Sequence, residues 1–386
     1  MSRNGHRPKL LFLAPGSWVH GQRALRAALM ADFDTVFVDS YDPGMRDTQG
    51  YRFVKLPRSG YSLYRKVLPS SAATQIKDSF LFWWFKNLWQ QVAPDLVHVC
   101  WIDYRAAFCS RAGMTPLILS CWGSDISFQT GPQVDHEWRM FVKEALAGAA
   151  LTIVDGPGMA ACCEMLTGRH VPSEMLHLGV DTDRFCGGLT SERRSMRARL
   201  GIAHDAVLLS SMRAMSGLYN HELILQAFAQ AIPKFRRPAY LLFKSYNAHL
   251  GFFEQLQQKA QELGIRDRVK FVDRLAEAQL PALYAATDIV INFPQFDSFP
   301  VTLLEAGACE CAVICSSLES YIGVLPDDNI TWVPANDPAE LAAAVAEETN
   351  ASKRPLSFPK VREAIIECFS EKRYQQRLAH IYRSLI

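Results

Sequence analysis

The sequence predicts an α/β protein made of two Rossmann-like domains, each a parallel sheet covered by helices, and three observations carry that prediction. Short apolar runs alternate with longer amphipathic stretches over almost all of the 386 residues, the pattern of repeated βαβ units. The runs show little apolar/polar alternation, as expected of strands buried on both faces. The pattern pauses once, at residues 182–206, where glycines and charges crowd a stretch with no strand candidate, and then restarts.

Taken in order, the strand candidates of the first half are Leu10–Ala14, Thr35–Asp39, Leu96–Cys100, Leu117–Cys121, Leu151–Val154 and Glu174–Leu178. Helical stretches fall between them over Val19–Ala31, Ala73–Val92 and Glu137–Ala147. The second half offers Val207–Met212, Tyr240–Lys244, Val269–Val272, Asp288–Ile291 and Ala312–Cys315. The tail, EKRYQQRLAHIYRSLI, reads as one amphipathic helix with Tyr374, Leu378, Ile381 and Leu385 on a face. The expected domains are therefore 1–184 and 207–365, joined by a linker over 185–206, with a helix over 366–386 returning to the first domain. Their sheets are expected to face each other across a cleft. Ligands on such sheets bind beyond the carboxyl ends of the strands, so the loops there are where chemistry is sought.

Composition removes several function classes. Lys plus Arg number 41 against 39 acids, a net charge of +2, too near neutral for a nucleic-acid partner. No segment reaches the ~18–20 apolar residues of a membrane span. The N-terminus, MSRNGHRPK, lacks the apolar core of a signal peptide, so a cytoplasmic location is expected. The ten cysteines are scattered in apolar surroundings and read as free buried thiols. Cys309-x-Cys311-x3-Cys315 has no His or second Cys pair nearby and does not read as a zinc site. Asp103, Asp125 and Asp135 form no Asp-x-Asp pair, so no metal is expected. There is no P-loop, no Gly-x-Ser-x-Gly elbow and no His-Glu-x-x-His.

The most informative stretch runs from Asp288 to Ser316, DIVINFPQFDSFPVTLLEAGACECAVICS. A strand leads into a loop with Asp297, a helix opens near Pro300 with proline favoured in its first turn, and Glu305 lies about a turn inside. Two carboxylates that accept from sugar and ribose hydroxyls thus adjoin a helix N-terminus whose N–H groups and dipole suit a diphosphate.

This stretch resembles the retaining, GT-B-fold glycosyltransferases of family 4. Asp297-x7-Glu305-Ala306 stands where these enzymes carry Glu-x7-Glu, and Cys309-Glu310-Cys311-Ala312-Val313 where they usually have Cys-Gly-x-Pro-Val. Leu178-Gly179-Val180-Asp181-Thr182-Asp183-Arg184-Phe185 is similar to their segment closing the first domain. Ser211-Met212-Arg213, followed by Tyr219-Asn220, resembles their donor-phosphate loop, with Leu218 where many members have a Lys. Pro94–Val99, Cys121–Asp125 and Gly16–Arg23 also resemble family segments, so the resemblance covers nearly the whole chain.

The resemblance implies transfer of a sugar from a nucleotide diphosphate sugar, UDP- or GDP-linked, to an acceptor sugar or lipid-linked saccharide. Retention at the anomeric carbon and no cofactor or metal follow from it. Arg213 and Asp297 are the implied catalytic pair. The implied donor contacts are Gly16, Arg213, Lys244, Asp297, Ser298, Phe299, Pro300, Val301, Thr302 and Glu305, with Glu305 on the ribose and Asp297 on the sugar. Lys244 is the candidate replacement for the missing Lys, and Gly16 the point of close backbone approach. His20, Trp122 and Asp125 are the acceptor-side candidates.

Other classes stay open. Val154-Asp155-Gly156-Pro157-Gly158-Met159-Ala160-Ala161 gives a lone dinucleotide fingerprint, but neither Glu174 nor Asp181 sits convincingly as the required acid. A nucleotide- or sugar-binding protein without turnover is the other alternative. His98 and His177 read as structural. In Phe80–Trp89, a buried helix needs only the stripe Leu81, Phe85, Leu88 and Val92. The surplus Phe80, Phe82, Trp83 and Trp84, with Arg58, Arg65, Lys66 and Arg105, suggest peripheral contact at the inner membrane face.

Overall fold

A computed structural model describes residues 7–44, 50–57, 69–127, 136–245, 251–273, 275–327, 330–351 and 358–386. The chain divides into two compact units: residues 1–178 with 371–386, and residues 179–370.

The first unit holds a seven-stranded, wholly parallel sheet: β1 (Lys9–Leu13), β2 (Asp34–Asp39), β3 (Arg52–Lys55), β4 (Leu96–Cys100), β5 (Leu117–Ser120), β6 (Leu151–Val154) and β7 (Ser173–Met175). Their spatial order is β3-β2-β1-β4-β5-β6-β7, and β1 pairs β4 with Leu10 opposite Leu96. The central strands are fully buried because helices cover both faces. In the long helix Ser70–Val92, the stripe Leu81, Phe85, Leu88 and Val92 is buried. Phe82 and Trp84 are half-buried against the core, whereas Ile76, Phe80 and Trp83 are exposed.

The second unit has a six-stranded parallel sheet: β8 (Val207–Ser211), β9 (Ala239–Lys244), β10 (Val269–Val272), β11 (Ile289–Asn292), β12 (Ala312–Ser316) and β13 (Ile330–Val333), ordered β10-β9-β8-β11-β12-β13. Both boundaries of the expected linker change. Residues 185–206 contain the helix Thr190–Leu200 and belong to this unit. Arg193 Nη2 lies 2.6 Å and Arg197 Nη1 3.1 Å from the Asp288 carboxylate, which also accepts the Leu208 N–H at 2.8 Å. A polar helix is thereby tied to the entry of two central strands.

The expected terminal helix is two helices. Pro359–Phe369 belongs to the second unit, Ser370 breaks the helical path with extended backbone, and Glu371–Ser384 belongs to the first. There it packs on the helix Val19–Leu29, with Arg26 Nε 3.0 Å from Glu371 Oε1. Tyr374, Leu378, Ile381 and Tyr382 are buried, so Tyr382 rather than Leu385 completes the inward face.

Candidate active site

In the second sheet the chain's progress reverses between β8 and β11, which have β9 and β10 on one side and β12 and β13 on the other. At such a switch point the loops diverge beyond the carboxyl ends of the strands and leave a crevice. Arg213 follows β8, Asp297 follows β11 and Tyr321 follows β12. Asp297 is the hub. Arg213 Nη2 lies 2.6 Å from its Oδ2, and the Tyr321 phenol donates to that same oxygen at 2.7 Å. The Ser298 N–H donates to Oδ1 at 3.0 Å, and the Ser320 hydroxyl to the Asp297 carbonyl at 2.8 Å. Arg213 Nη1 is 3.5 Å from the Thr302 hydroxyl, and its guanidinium sits 4.2 Å from the Tyr219 ring centre.

Burial is the largest influence on the Arg213 charge and works against it, but Asp297, together with Tyr219 and Tyr321, raises the arginine's pKa. Burial, reinforced by Asp297, pushes the Tyr321 phenol well above its ordinary range, so it remains a hydrogen-bond donor. The helix Val301–Ala308 rises from the same loop. Pro300 precedes its first residue in extended conformation (φ −86°, ψ 128°) rather than lying in its first turn. First-turn N–H groups lack the usual helical acceptors, and here they begin four residues after Asp297, with the Leu303 N–H donating to the Pro300 carbonyl at 3.0 Å. Glu305 is buried, its Oε2 accepting the Tyr284 phenol at 2.8 Å. Phe299 is buried against Tyr321 and Phe369, and Lys244 closes β9 half-buried. Beyond the helix, Glu310 takes φ +58°, the left-handed conformation that suits the family's usual glycine. A Cβ built on Gly187 would collide with the Glu310 carboxylate.

The first sheet has its own switch point, between β1 and β4. After β1, a Cβ on Gly16 would lie 2.6 Å from the Tyr41 carbonyl, and the Gly16 N–H donates to Asp39 Oδ2 at 2.8 Å. The close approach that requires glycine is thus to Tyr41 within this unit, and its N–H is committed to Asp39. Arg105 is buried, its Nε 3.0 and 2.9 Å from the two Asp103 oxygens and its Nη1 3.4 Å from Asp39. It is therefore a buried partner of two acids, not a surface cation for lipid. Asp125 is likewise an internal tie: 1% exposed, it accepts the N–H groups of Ile102 at 2.9 Å and Trp122 at 3.0 Å. Burial pushes its carboxyl up to about 7. His98 is fully buried, with Nδ1 2.6 Å from the Tyr382 hydroxyl and Nε2 2.7 Å from Ser120 Oγ, a core role. His177 is half-buried.

His20 is exposed, with its ring 6.0 Å from that of the half-buried Trp122. Trp18 and Trp101 stand nearly perpendicular, 5.0 Å apart, and Trp101 has φ +66°. A bulky side chain in that region costs roughly 1–2 kcal/mol. Gly156 and Gly158 open the helix Pro157–Thr167; Gly156 is extended, and a Cβ on Gly158 would meet nothing within 4 Å. All ten cysteines are free. Among the described residues, no group of three or more His, Cys, Asp or Glu is placed to hold a metal ion. Arg58, Arg65, Lys66 and Asp135 lie outside the described residues.

Comparison with known proteins agrees with this architecture in both halves. The family model described as glycosyl transferases group 1 matches residues 192–360, and that described as glycosyl transferase 4-like matches residues 9–155. Each half of the chain thus matches a model that describes glycosyltransferases. The D-inositol 3-phosphate glycosyltransferase of Geodermatophilus obscurus is 31% identical over 173 residues, 43% of this chain and 38% of that protein. The chain spans less than half the length of the curated relatives it matches. Among solved structures, HepE of Anabaena in complex with UDP and glucose superposes with a TM-score of 0.78 at 17% identity, covering 98% of this chain and 100% of that one. WaaG, a glycosyltransferase involved in lipopolysaccharide biosynthesis, gives 0.71 at 15% identity, covering 96% and 99%. These likenesses show the GT-B fold.

Against that background, the residues read from sequence separate cleanly. Arg213, Asp297, Ser298 and Thr302 are in mutual contact, and Phe299, Pro300 and Val301 continue the same loop into its helix. Glu305 lies one turn on, buried on Tyr284. Tyr219 was read only as part of the donor-phosphate segment, and Tyr284 and Tyr321 escaped the sequence reading. One signal was available: Tyr321 stands five residues past the end of β12, as Asp297 stands five past β11.

Proposed function

We propose that this chain transfers a sugar from a nucleotide diphosphate sugar to an acceptor hydroxyl, with retention at the anomeric carbon and without a metal ion. The observation that carries the reading is the Arg213–Asp297–Tyr321 constellation at the switch point of the second sheet. The planar guanidinium offers paired donors to a diphosphate. Asp297 orients sugar hydroxyls, and Glu305, held by Tyr284, accepts from the ribose. When the bond between the anomeric carbon and the diphosphate breaks, negative charge develops on the departing oxygen. Arg213 and the first-turn N–H groups of Val301–Ala308 stabilise that charge. The departing oxygen takes the acceptor's proton as the new glycosidic bond forms on the same face of the sugar.

HepE, a neighbour in fold, binds UDP and glucose, which favours a uridine diphosphate sugar as the first donor to test. WaaG's part in lipopolysaccharide biosynthesis favours an acceptor from polysaccharide or glycolipid assembly, and the enzyme is proposed to work in the cytoplasm. Among the described residues no helix is long and apolar enough to cross a membrane. The exposed Ile76, Phe80 and Trp83 on one helix support peripheral contact with lipid. Flotation with anionic vesicles, abolished in Phe80→Ser/Trp83→Ser, tests that contact.

The test of the main reading is UDP-glucose turnover with EDTA present. UDP is released, and proton NMR of the product shows the donor's anomeric configuration. Inversion, or a strict need for a divalent metal, overturns the mechanism. A thermal-shift series with UDP, GDP and ADP identifies the base, since a ligand that binds only the native state raises its stability.

A further inference from the structure

The loops beyond β1, β4 and β5 bring four aromatic rings to the switch point of the first sheet. Trp18 meets Trp101 at 5.0 Å and His20 meets Trp122 at 6.0 Å. From this arrangement we infer that Trp18 and Trp101 form a stacking subsite for the pyranose ring of an uncharged saccharide.

The backbone around Trp101 is gripped from both sides. Its own N–H donates to the Ser120 carbonyl at 2.9 Å, while Asp125 holds the next residue, Ile102, together with Trp122. Asp103 then caps the helix Tyr104–Arg111 by accepting the Arg105 N–H at 2.8 Å. These contacts hold a tryptophan at φ +66°, a conformation its side chain disfavours, and such enforced strain marks positions where a ring is presented to something. Core packing alone does not account for the pair: Trp18 is 36% exposed and Trp101 only half-buried. In their near-perpendicular arrangement (78°), the edge of one ring meets the face of the other, which leaves further ring face for a ligand. The polarised C–H groups of a pyranose match that negative face.

Charge selects among ligands. The loops 14–18, 101–103 and 121–123 (APGSW, WID and CWG) contain no Lys or Arg. Arg105, just beyond, is buried on Asp103 and Asp39. A phosphate is held most strongly by a cation, and these loops supply none. The subsite therefore suits a neutral sugar rather than the D-inositol 3-phosphate in the relatives' names. Calling that sugar the acceptor rests on the glycosyl-transfer reading; the binding itself does not.

The test is intrinsic tryptophan fluorescence of the full chain, titrated with cellobiose, maltose and lactose and, separately, with D-inositol 3-phosphate. The expected result is a saturable change with at least one disaccharide and none with the phosphate. Trp18→Leu weakens that affinity about tenfold, the scale of one lost aromatic contact. Trp101→Gly abolishes it while keeping or raising the melting temperature, because glycine accepts the left-handed backbone without strain. Saturable binding of inositol phosphate, unchanged disaccharide affinity in both variants, or no response to any disaccharide each overturns the subsite. UDP-induced stabilisation is measured on the same samples. If it persists while every disaccharide is silent, the subsite fails and the donor reading stands; if it too is absent, the donor reading fails separately.

Discussion

Asp297→Ala is the most incisive perturbation, because it unmakes the hub and leaves its partners in place. The Arg213 and Asp297 side chains are 11% and 15% exposed and 2.6 Å apart. Removing one member of such a pair strands the other, which costs about 3–5 kcal/mol. The Tyr321 phenol and the Ser298 N–H lose their acceptor too, at about 1–3 kcal/mol each, but these losses share a site and overlap rather than add. For a unit spanning residues 179–370, a loss of 1 kcal/mol lowers Tm by about 2–4 °C, so Asp297→Ala lowers the transition of that unit by roughly 6–20 °C. Calorimetry reads it, and the UDP-responsive transition identifies the unit. Arg213→Met combined with Asp297→Leu removes both charges and recovers most of the loss, since nothing charged is left unpaired. A shift under about 2 °C for Asp297→Ala, or a double variant as unstable as the two single losses summed, would refute the buried pair.

Four further outcomes follow from the geometry. Asp297→Glu restores the family's usual residue yet lowers turnover about tenfold, because the longer side chain carries the carboxylate past Arg213 and Tyr321; steady-state kinetics at or above wild-type rate would contradict this. Glu305→Ala weakens UDP binding in calorimetric titration by at least about tenfold, the loss of one charged acceptor, and an unchanged Kd removes Glu305 from the nucleotide site. Glu310→Gly relieves the left-handed strain at φ +58° and raises stability by about 1 kcal/mol; a lower Tm would mean that the carboxylate's place beside Gly187 matters more. Burial lowers the His98 pKa to about 3 from an ordinary 6.5, so its stabilising contribution is complete above pH 6.5 and is lost as pH falls toward 3. His98→Gln should therefore flatten the acid limb of the stability profile by up to about 1.4 kcal/mol per pH unit, and an unaltered limb would count against the assignment.

The central strands were legible because both of their faces are buried, which demands uninterrupted Leu, Val, Ile and Phe. The two strands that escaped, β3 and β13, each close an edge of their sheet; β3 has no buried residue, Arg52-Phe53-Val54-Lys55 having two apolar residues and charges at both ends, and β13 buries only Ile330 and Val333. The helix Thr190–Leu200 was hidden for a related reason. TSERRSMRARL has no apolar stripe, and it is held through Arg193 and Arg197 to an aspartate some 90 residues away. At the site, the carboxylate spacing and the arginine after β8 could be read along the chain. The roles of Tyr219 and Tyr321 were harder to read, because an aromatic residue acquires a role only when loops from different strands converge. Asp125 and Arg105 show the converse. Both stand where functional residues are sought, but neighbours distant in sequence draw them inward to organise loops.

The discontinuity of the first unit bears on biosynthesis. Residues up to 178 are synthesised without the helix Glu371–Ser384, and residues 179–370 must be translated before that helix exists. At ~5–20 residues per second this interval lasts roughly 10–40 s. During it, the surface that will receive Tyr374, Leu378, Ile381 and Tyr382 stands bare, and His98 lacks its tyrosine partner. The second unit is contiguous in sequence, so all of its residues are synthesised before the helix that completes the first. Truncation before residue 371 would therefore damage the unit formed by residues 1–178, although nearly 200 residues lie between them.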